Sequence, residues 1–193
     1  MKYVKMLGLL AVAAAALMAF AGTASAQLTS PKGTPFTGTI TGTSTDSHLT
    51  GSVTIACKHS VVSGSISKGA TTGAISTLDF TGCEPDTVVV LKKGHLTIDR
   101  VAANHGTVTS TGAEVTVLTH RTIFGFPVTT HCIYATNNTH IGTFTGSPND
   151  TSHATIDING SIPRIATDGT CGEDPAIWTG TYTITSPKPL YLS

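Results

Sequence analysis

The chain has 193 residues, of which 39% are hydrophobic and only 11% are charged, with eleven basic side chains against eleven acidic ones. So little charge excludes an electrostatic binder of nucleic acid or of membrane surfaces, and the abundance of apolar β-formers excludes a disordered chain. The length suits one domain with a core of its own.

Residues 1–26 read as an export signal. Met1 to Lys5 supplies two lysines, Met6 to Ala21 is an Ala/Leu-rich apolar run, and Ala24-Ser25-Ala26 fits a signal-peptidase site, so the mature chain is expected to begin at Gln27. The run is shorter than the roughly 20 residues a spanning helix needs. With no cysteine after the cleavage site and no paired arginines before the run, neither a lipid anchor nor twin-arginine export is expected. The expectation is therefore a secreted or cell-surface protein with no membrane span after cleavage. Removing the two lysines of the signal leaves nine basic residues against eleven acidic ones in residues 27–193, a net charge near −2.

Export also gives the cysteines a reading. Cys57, Cys83, Cys132 and Cys171 all lie in the mature part, and an even count outside the cell implies two disulfides. Four cysteines allow three connectivities, of which Cys57 with Cys83 and Cys132 with Cys171 is the one expected.

Along the mature chain, period-two alternation recurs and 3.6-residue periodicity does not. Val53, Ile55 and Cys57 share a face, which points the first disulfide into the core. Leu96 and Ile98 alternate with His95, Thr97 and Asp99. Ala154, Ile156 and Ile158 alternate with His153, Thr155, Asp157 and Asn159. Trp178, Gly180, Tyr182 and Ile184 alternate with a run of threonines. Threonine is β-branched and fits a wet pleated face without charge. Lys68-Gly69, Cys83-Glu84-Pro85-Asp86, Lys93-Gly94 and Ser147-Pro148-Asn149-Asp150 supply the turns between strands. One hairpin is placed by centring a turn near Gly125, which pairs Val117 with Tyr134, Thr119 with Cys132, Leu118 with Ile133 and His120 with His131. Residues 51–83 and 128–171 share a strand–Cys–strand–Cys order, read either as a faint duplication or as the common look of Thr/Gly/Ile-rich strands. The expected fold is all-β, an antiparallel β-sandwich of immunoglobulin-like or jelly-roll-like kind with about ten to twelve short strands and two disulfides.

Chemistry-bearing motifs are scarce. Among eight histidines, the expected cross-strand pair His120 and His131 is the metal candidate, but no third or fourth ligand is identifiable, surface histidines on a strand face are the commoner explanation, and no metal site is expected. His95 to Asp99 and His153 to Asp157 resemble ligand strings, yet residues four apart on a strand sit about 13 Å apart. Asp157-Ile158-Asn159-Gly160 and Asn149-Asp150 lack the acidic series of a calcium loop. Ser63-Gly64-Ser65 falls in an expected strand rather than at a nucleophile elbow. Cys132 and His131 leave opposite faces of their strand. No catalytic residue and no cofactor is expected. Trp178 and Tyr182 fall on the core face rather than forming a sugar platform.

Several segments resemble an uncharacterised family of secreted Thr/Gly-rich proteins of soil actinobacteria. They are Ser30 to Gly38, the Cys57 and Cys83 pair, Cys132 to Thr136, Ile141 to Gly146, and Cys171-Gly172 before Ala176 to Gly180. This likeness spans nearly the whole mature chain and implies structure without a known activity. The opening Ser-Pro-x-Gly-Thr segment and the first cysteine pair more distantly resemble secreted proteins called activators of alkane oxidation, which are associated with biofilm and cell-surface material. The function expected is that of an exported non-enzymatic structural, surface or matrix protein. Its expected partners are copies of itself or cell-surface material, met through a Leu118 and Ile133 patch or the segment Gln27 to Thr43. The alternative is an extracellular module binding a glycan or an apolar ligand, and a metal protein or hydrolase comes third.

Overall fold

A computed structural model describes residues 25–51, 54–169, 171 and 173–193. The expected signal up to and including Ala24, and Val53 on the expected Cys57 face, lie outside the described residues. Regular structure among these residues is entirely β, in fifteen strands. The expectation of ten to twelve strands is exceeded because short pieces such as β1 (Leu28–Thr29), β3 (Ser47–Thr50), β13 (Arg164–Thr167) and β15 (Tyr191–Leu192) form strands of their own.

Eight strands close into a barrel. Its order is β2 (Gly38–Ser44), β4 (Thr54–Ile66), β5 (Thr72–Glu84), β7 (His95–Ala102), β8 (His105–Thr111), β11 (Thr139–Thr145), β12 (Thr155–Ile162) and β14 (Ala176–Ser186), which returns to β2. Short β3 carries the line of β2 past a bend at Thr45 and Asp46 and pairs with the same two neighbours, β4 and β14. A second sheet of four strands runs β13, β10 (Phe126–Ala135), β9 (Glu114–Ile123) and β6 (Thr87–Lys92). The chain is all-β with two disulfides, as expected, but it is a closed barrel with an attached sheet rather than a sandwich. Period-two alternation is the same in a stacked and a rolled sheet. What decides between them is the long ladder from Thr155 opposite Thr183 to Ile162 opposite Ala176, which joins β12 to β14 and closes the ring.

The alternation read from the sequence locates the interior. On β12 the buried positions are Ile156, Ile158, Gly160 and Ile162, and on β14 Tyr182 and Ile184 are buried while Thr181 and Thr185 face water. Small and large residues alternate around the ring so that it fills. Phe144, 1% exposed, lies between Gly106 on β8 and Ile156 on β12. Gly160 serves the same end, since a Cβ there would stand 2.6 Å from the Ile141 Cα.

Two cores result. Leu28, Val108, Phe144, Ile158, Tyr182 and Ile184 belong to the one inside the barrel. Ile55, Val117, Tyr134, Ile162 and both disulfides' buried cysteines belong to the one between barrel and four-stranded sheet. Trp178, the chain's single tryptophan, packs against both, edge-on to Phe80 at 5.8 Å and to Tyr182 at 6.0 Å.

Within the segment Gln27 to Thr43, β1 pairs with β15 and β2 is held between β4 and β14. The β9–β10 hairpin is shifted from its expected register. Its two-residue loop is Phe124-Gly125, so Cys132 faces Val117, His131 faces Leu118, Ile133 faces Thr116, and His120 faces Thr129. A shift of two in pairing preserves which face each residue takes but changes its partner. Leu118 and Ile133 thus remain together, half-buried, as diagonal neighbours away from the core.

Candidate functional site

The hairpin tip is where the fold departs from what folding alone requires. Phe124 and Gly125 have φ of 51° and 85°, the pair of positive values that a type I′ turn demands. Asn-Gly is the common solution there, because asparagine tolerates the left-handed region that costs other L-residues about 1–2 kcal/mol. Here a phenylalanine takes that place, 98% exposed, and Phe126 across the turn is 72% exposed. Pro127 and Val128 continue the exposed strand on one side, and Arg121 and Thr122 do so on the other. In sequence the tip reads as an ordinary turn, and its signal is the Phe-Gly-Phe string at the point where polar turn formers belong.

His120 and His131 are not directly opposed. Their strands hold them opposite Thr129 and Leu118, which makes them diagonal neighbours on one face as Leu118 and Ile133 are, and Asp86 and Asp168 accept hydrogen bonds from their backbone N–H groups, at 3.1 and 2.6 Å. Among the described residues no group of three His, Cys, Asp or Glu side chains is arranged to hold a metal ion. The calcium-like strings have structural partners instead. Asn149 Oδ1 accepts the Thr151 N–H at 3.0 Å and the Thr151 and Ser152 hydroxyls at 2.8 Å each, which makes a turn. Asp157 accepts the Thr181 hydroxyl at 2.8 Å, and Asp150 accepts the Tyr191 hydroxyl at 2.5 Å. His153, at the head of the second ligand-like string, donates through Nδ1 to the Ile184 carbonyl at 2.7 Å.

Both disulfides pair as expected. Cys57 and Cys83 are direct cross-strand partners on β4 and β5, and Cys132 on β10 reaches Cys171 in the segment after β13. The two bridges therefore occupy different structural settings, which removes the support for an internal duplication. Ser63-Gly64-Ser65 lies within β4, away from any turn. Ala26 is half-buried against the barrel core, and Gln27 exchanges two backbone hydrogen bonds with Ser193, both 2.9 Å.

One polar cluster sits between the cores. The Tyr182 phenol shares a 2.7 Å hydrogen bond with Ser60, which also donates to the Asp79 carbonyl at 3.0 Å. Ser47 and Trp178 approach the same phenol, but neither Ser47 Oγ nor Trp178 Nε1 completes a hydrogen bond. Burial pushes Tyr182 up to about 12, against the pull of these neighbours. Tyr191 is likewise pushed up to about 12, first by its bond to Asp150, and burial raises Tyr134 against the Arg164 guanidinium. A folded value above the unfolded one means that the Tyr182 contribution is complete below pH 10 and is lost as pH rises through about 12. Two units correspond to roughly 3 kcal/mol. Urea unfolding at pH 9 and pH 11.5 should therefore show a loss of stability that shrinks in Tyr182→Phe; equal losses in both proteins would place the titration elsewhere.

Among the described residues no helix is long and apolar enough to cross a membrane. No protein family, curated protein or solved structure matches this chain.

Proposed function

We propose that this is an exported, non-enzymatic protein of the cell surface or extracellular matrix, a disulfide-stapled barrel that attaches to surface material through its Phe124–Phe126 tip. The tip carries the reading. Exposed rings add nothing to the core, and Phe124 occupies a backbone region that asparagine fills at lower cost, so the strain is explained by a contact outside the chain. The address rests on the signal-like residues 1–26 and on two disulfides, and the resemblance to secreted actinobacterial proteins accords with it. Self-association enters through the four-stranded sheet, because barrel closure leaves β6 and β13 as its outermost strands.

Purified protein mixed with washed insoluble surface material from the cells that produce it should sediment with that material. Phe124→Asn/Phe126→Ser should stay in the supernatant while its thermal midpoint is unchanged or raised, since relief at position 124 stabilises by up to about 1 kcal/mol. Equal sedimentation of the two proteins would remove the tip from the proposal. A second reading, an extracellular module for an apolar ligand, is favoured by two small apolar cavities, one lined by Leu28, Ile40, Val62 and Leu96 and the other by Leu78, Phe80 and Val88.

A further inference from the structure

Between the four-stranded sheet and the Phe124-Gly125 turn, β9 and β10 run on as a two-stranded ribbon. On β9 the last residue paired with β6 is Leu118, opposite Thr87, and on β10 the last paired with β13 is Cys132, opposite Thr167. From Thr119 opposite Thr130 to Ile123 opposite Phe126, the described residues form a ladder only with each other. That span is about 15 Å at the usual rise of a strand. His120, Arg121 and Thr122 on one strand and Phe126 to Thr129 on the other are all exposed, so both faces of the outer ribbon meet water.

The side chains are graded along the ribbon axis. From Thr122 to Val128 the only polar side chain is that of Thr122, and Phe124 and Phe126 are 98% and 72% exposed. Arg121 comes next, opposite Val128 and three residues before Phe124, hence about 10 Å behind the tip. No aspartate or glutamate occurs from Thr119 to His131. An apolar end with a cation behind it complements a lipid surface, where anionic headgroups lie outside and acyl chains begin about 5–10 Å further in. The ribbon's free edges set the depth. Their unpaired N–H and C=O groups cannot enter hydrocarbon, so insertion stops at the turn and the residue pair next to it.

Other partners fit this tip less well. Phenylalanine offers no hydrogen bond to a sugar hydroxyl, and no amide or carboxylate side chain stands beside it. Two rings of about 200 Å² each fall well short of the roughly 800 Å² per partner of a stable protein interface.

We propose that the tip is a lipid-insertion hairpin. Phe124 and Phe126 bury their rings at the boundary of headgroups and acyl chains in an anionic lipid surface, and Arg121 meets its phosphates. The proposal rests on the attachment reading, because it names the partner of the same tip. Apolar area drives the insertion and one arginine orients it, which agrees with a chain too weakly charged to adhere electrostatically.

The exported, disulfide-bonded protein purified from culture is floated with vesicles of equimolar phosphatidylglycerol and phosphatidylcholine, and with vesicles of phosphatidylcholine alone. The expected result is partition onto both, stronger onto the first. Phe124→Asn/Phe126→Ser should weaken partition at least about ten-fold on both, the least that one buried ring contributes. Arg121→Gln should weaken it about five-fold on the anionic vesicles and leave it unchanged on phosphatidylcholine. In Phe124→Trp the added indole should be quenched by bromine on the upper acyl chain, while Trp178, packed against both cores, is not. No flotation of the unaltered protein, equal flotation of the Phe124→Asn/Phe126→Ser variant, or an Arg121→Gln protein unchanged on anionic vesicles would overturn the proposal. Sedimentation with surface material scores the attachment reading separately. Tip-dependent sedimentation with material freed of lipid by organic extraction, and no flotation, removes only the lipid; tip-independent sedimentation with untreated material removes the attachment reading.

Discussion

Replacing Cys132 and Cys171 together by alanine is expected to lower the unfolding free energy by about 4 kcal/mol, since the bridge closes a separation of 39 residues in the chain. The same chain-entropy relation gives about 3.5 kcal/mol for the Cys57–Cys83 bridge with its separation of 26 residues. The realised losses should differ by more than that. Cys57 and Cys83 are already held by the β4–β5 ladder, with Ala56 opposite Glu84 and His59 opposite Thr81 on either side. Cys171 sits between the end of β13 and the start of β14, outside the β10–β13 ladder and beyond the hydrogen bonds that Asp168 exchanges with His131. Denaturant titration of the two double-alanine proteins checks this. Equal losses, or a loss under about 1 kcal/mol for Cys132/Cys171, would show that the segment 168–175 is held by other means.

Phe144→Ala is expected to cost about 3–5 kcal/mol, the range for emptying a large aromatic site in a core that relaxes only in part. The cavity would open between Gly106 and Ile156, where β8, β11 and β12 are locked in the ring and cannot move together to fill it. Trp178 packs against both cores, so its fluorescence and the far-ultraviolet circular dichroism should report one shared unfolding transition in this variant and in the unaltered protein. Two separate transitions would mean that the barrel and the four-stranded sheet unfold independently.

Residue-level alternation was legible in the sequence, and closure was not. Ile156, Ile158, Tyr182 and Ile184 turn inward as their spacing implied, and Thr181 and Thr185 turn outward. Such patterning reports a face and says nothing of which strand lies alongside, so the joining of β12 to β14 that turns a sandwich into a barrel was invisible. The hairpin illustrates the same limit at smaller scale. Gly125 marked the turn correctly, but the identity of its partner at the other central position set the register, and nothing in a phenylalanine announces a left-handed backbone. The disulfides join the expected cysteines, and the direct opposition expected of His120 and His131 became a diagonal one with the change of register. The tip is not legible because exposed aromatic rings in a turn look, in sequence, like core residues misplaced by one strand.

Fractionation of producing cultures gives the most direct test of attachment by an exported chain. The full chain and its Phe124→Asn/Phe126→Ser variant would be followed into cytoplasm, free medium and insoluble surface material, with the N-terminal residue of each product determined. The expected result is a product beginning at Gln27 in the insoluble surface fraction, and a variant with the same first residue released into the medium. An unprocessed chain retained in the cytoplasm, or both proteins in the same fraction, would contradict it.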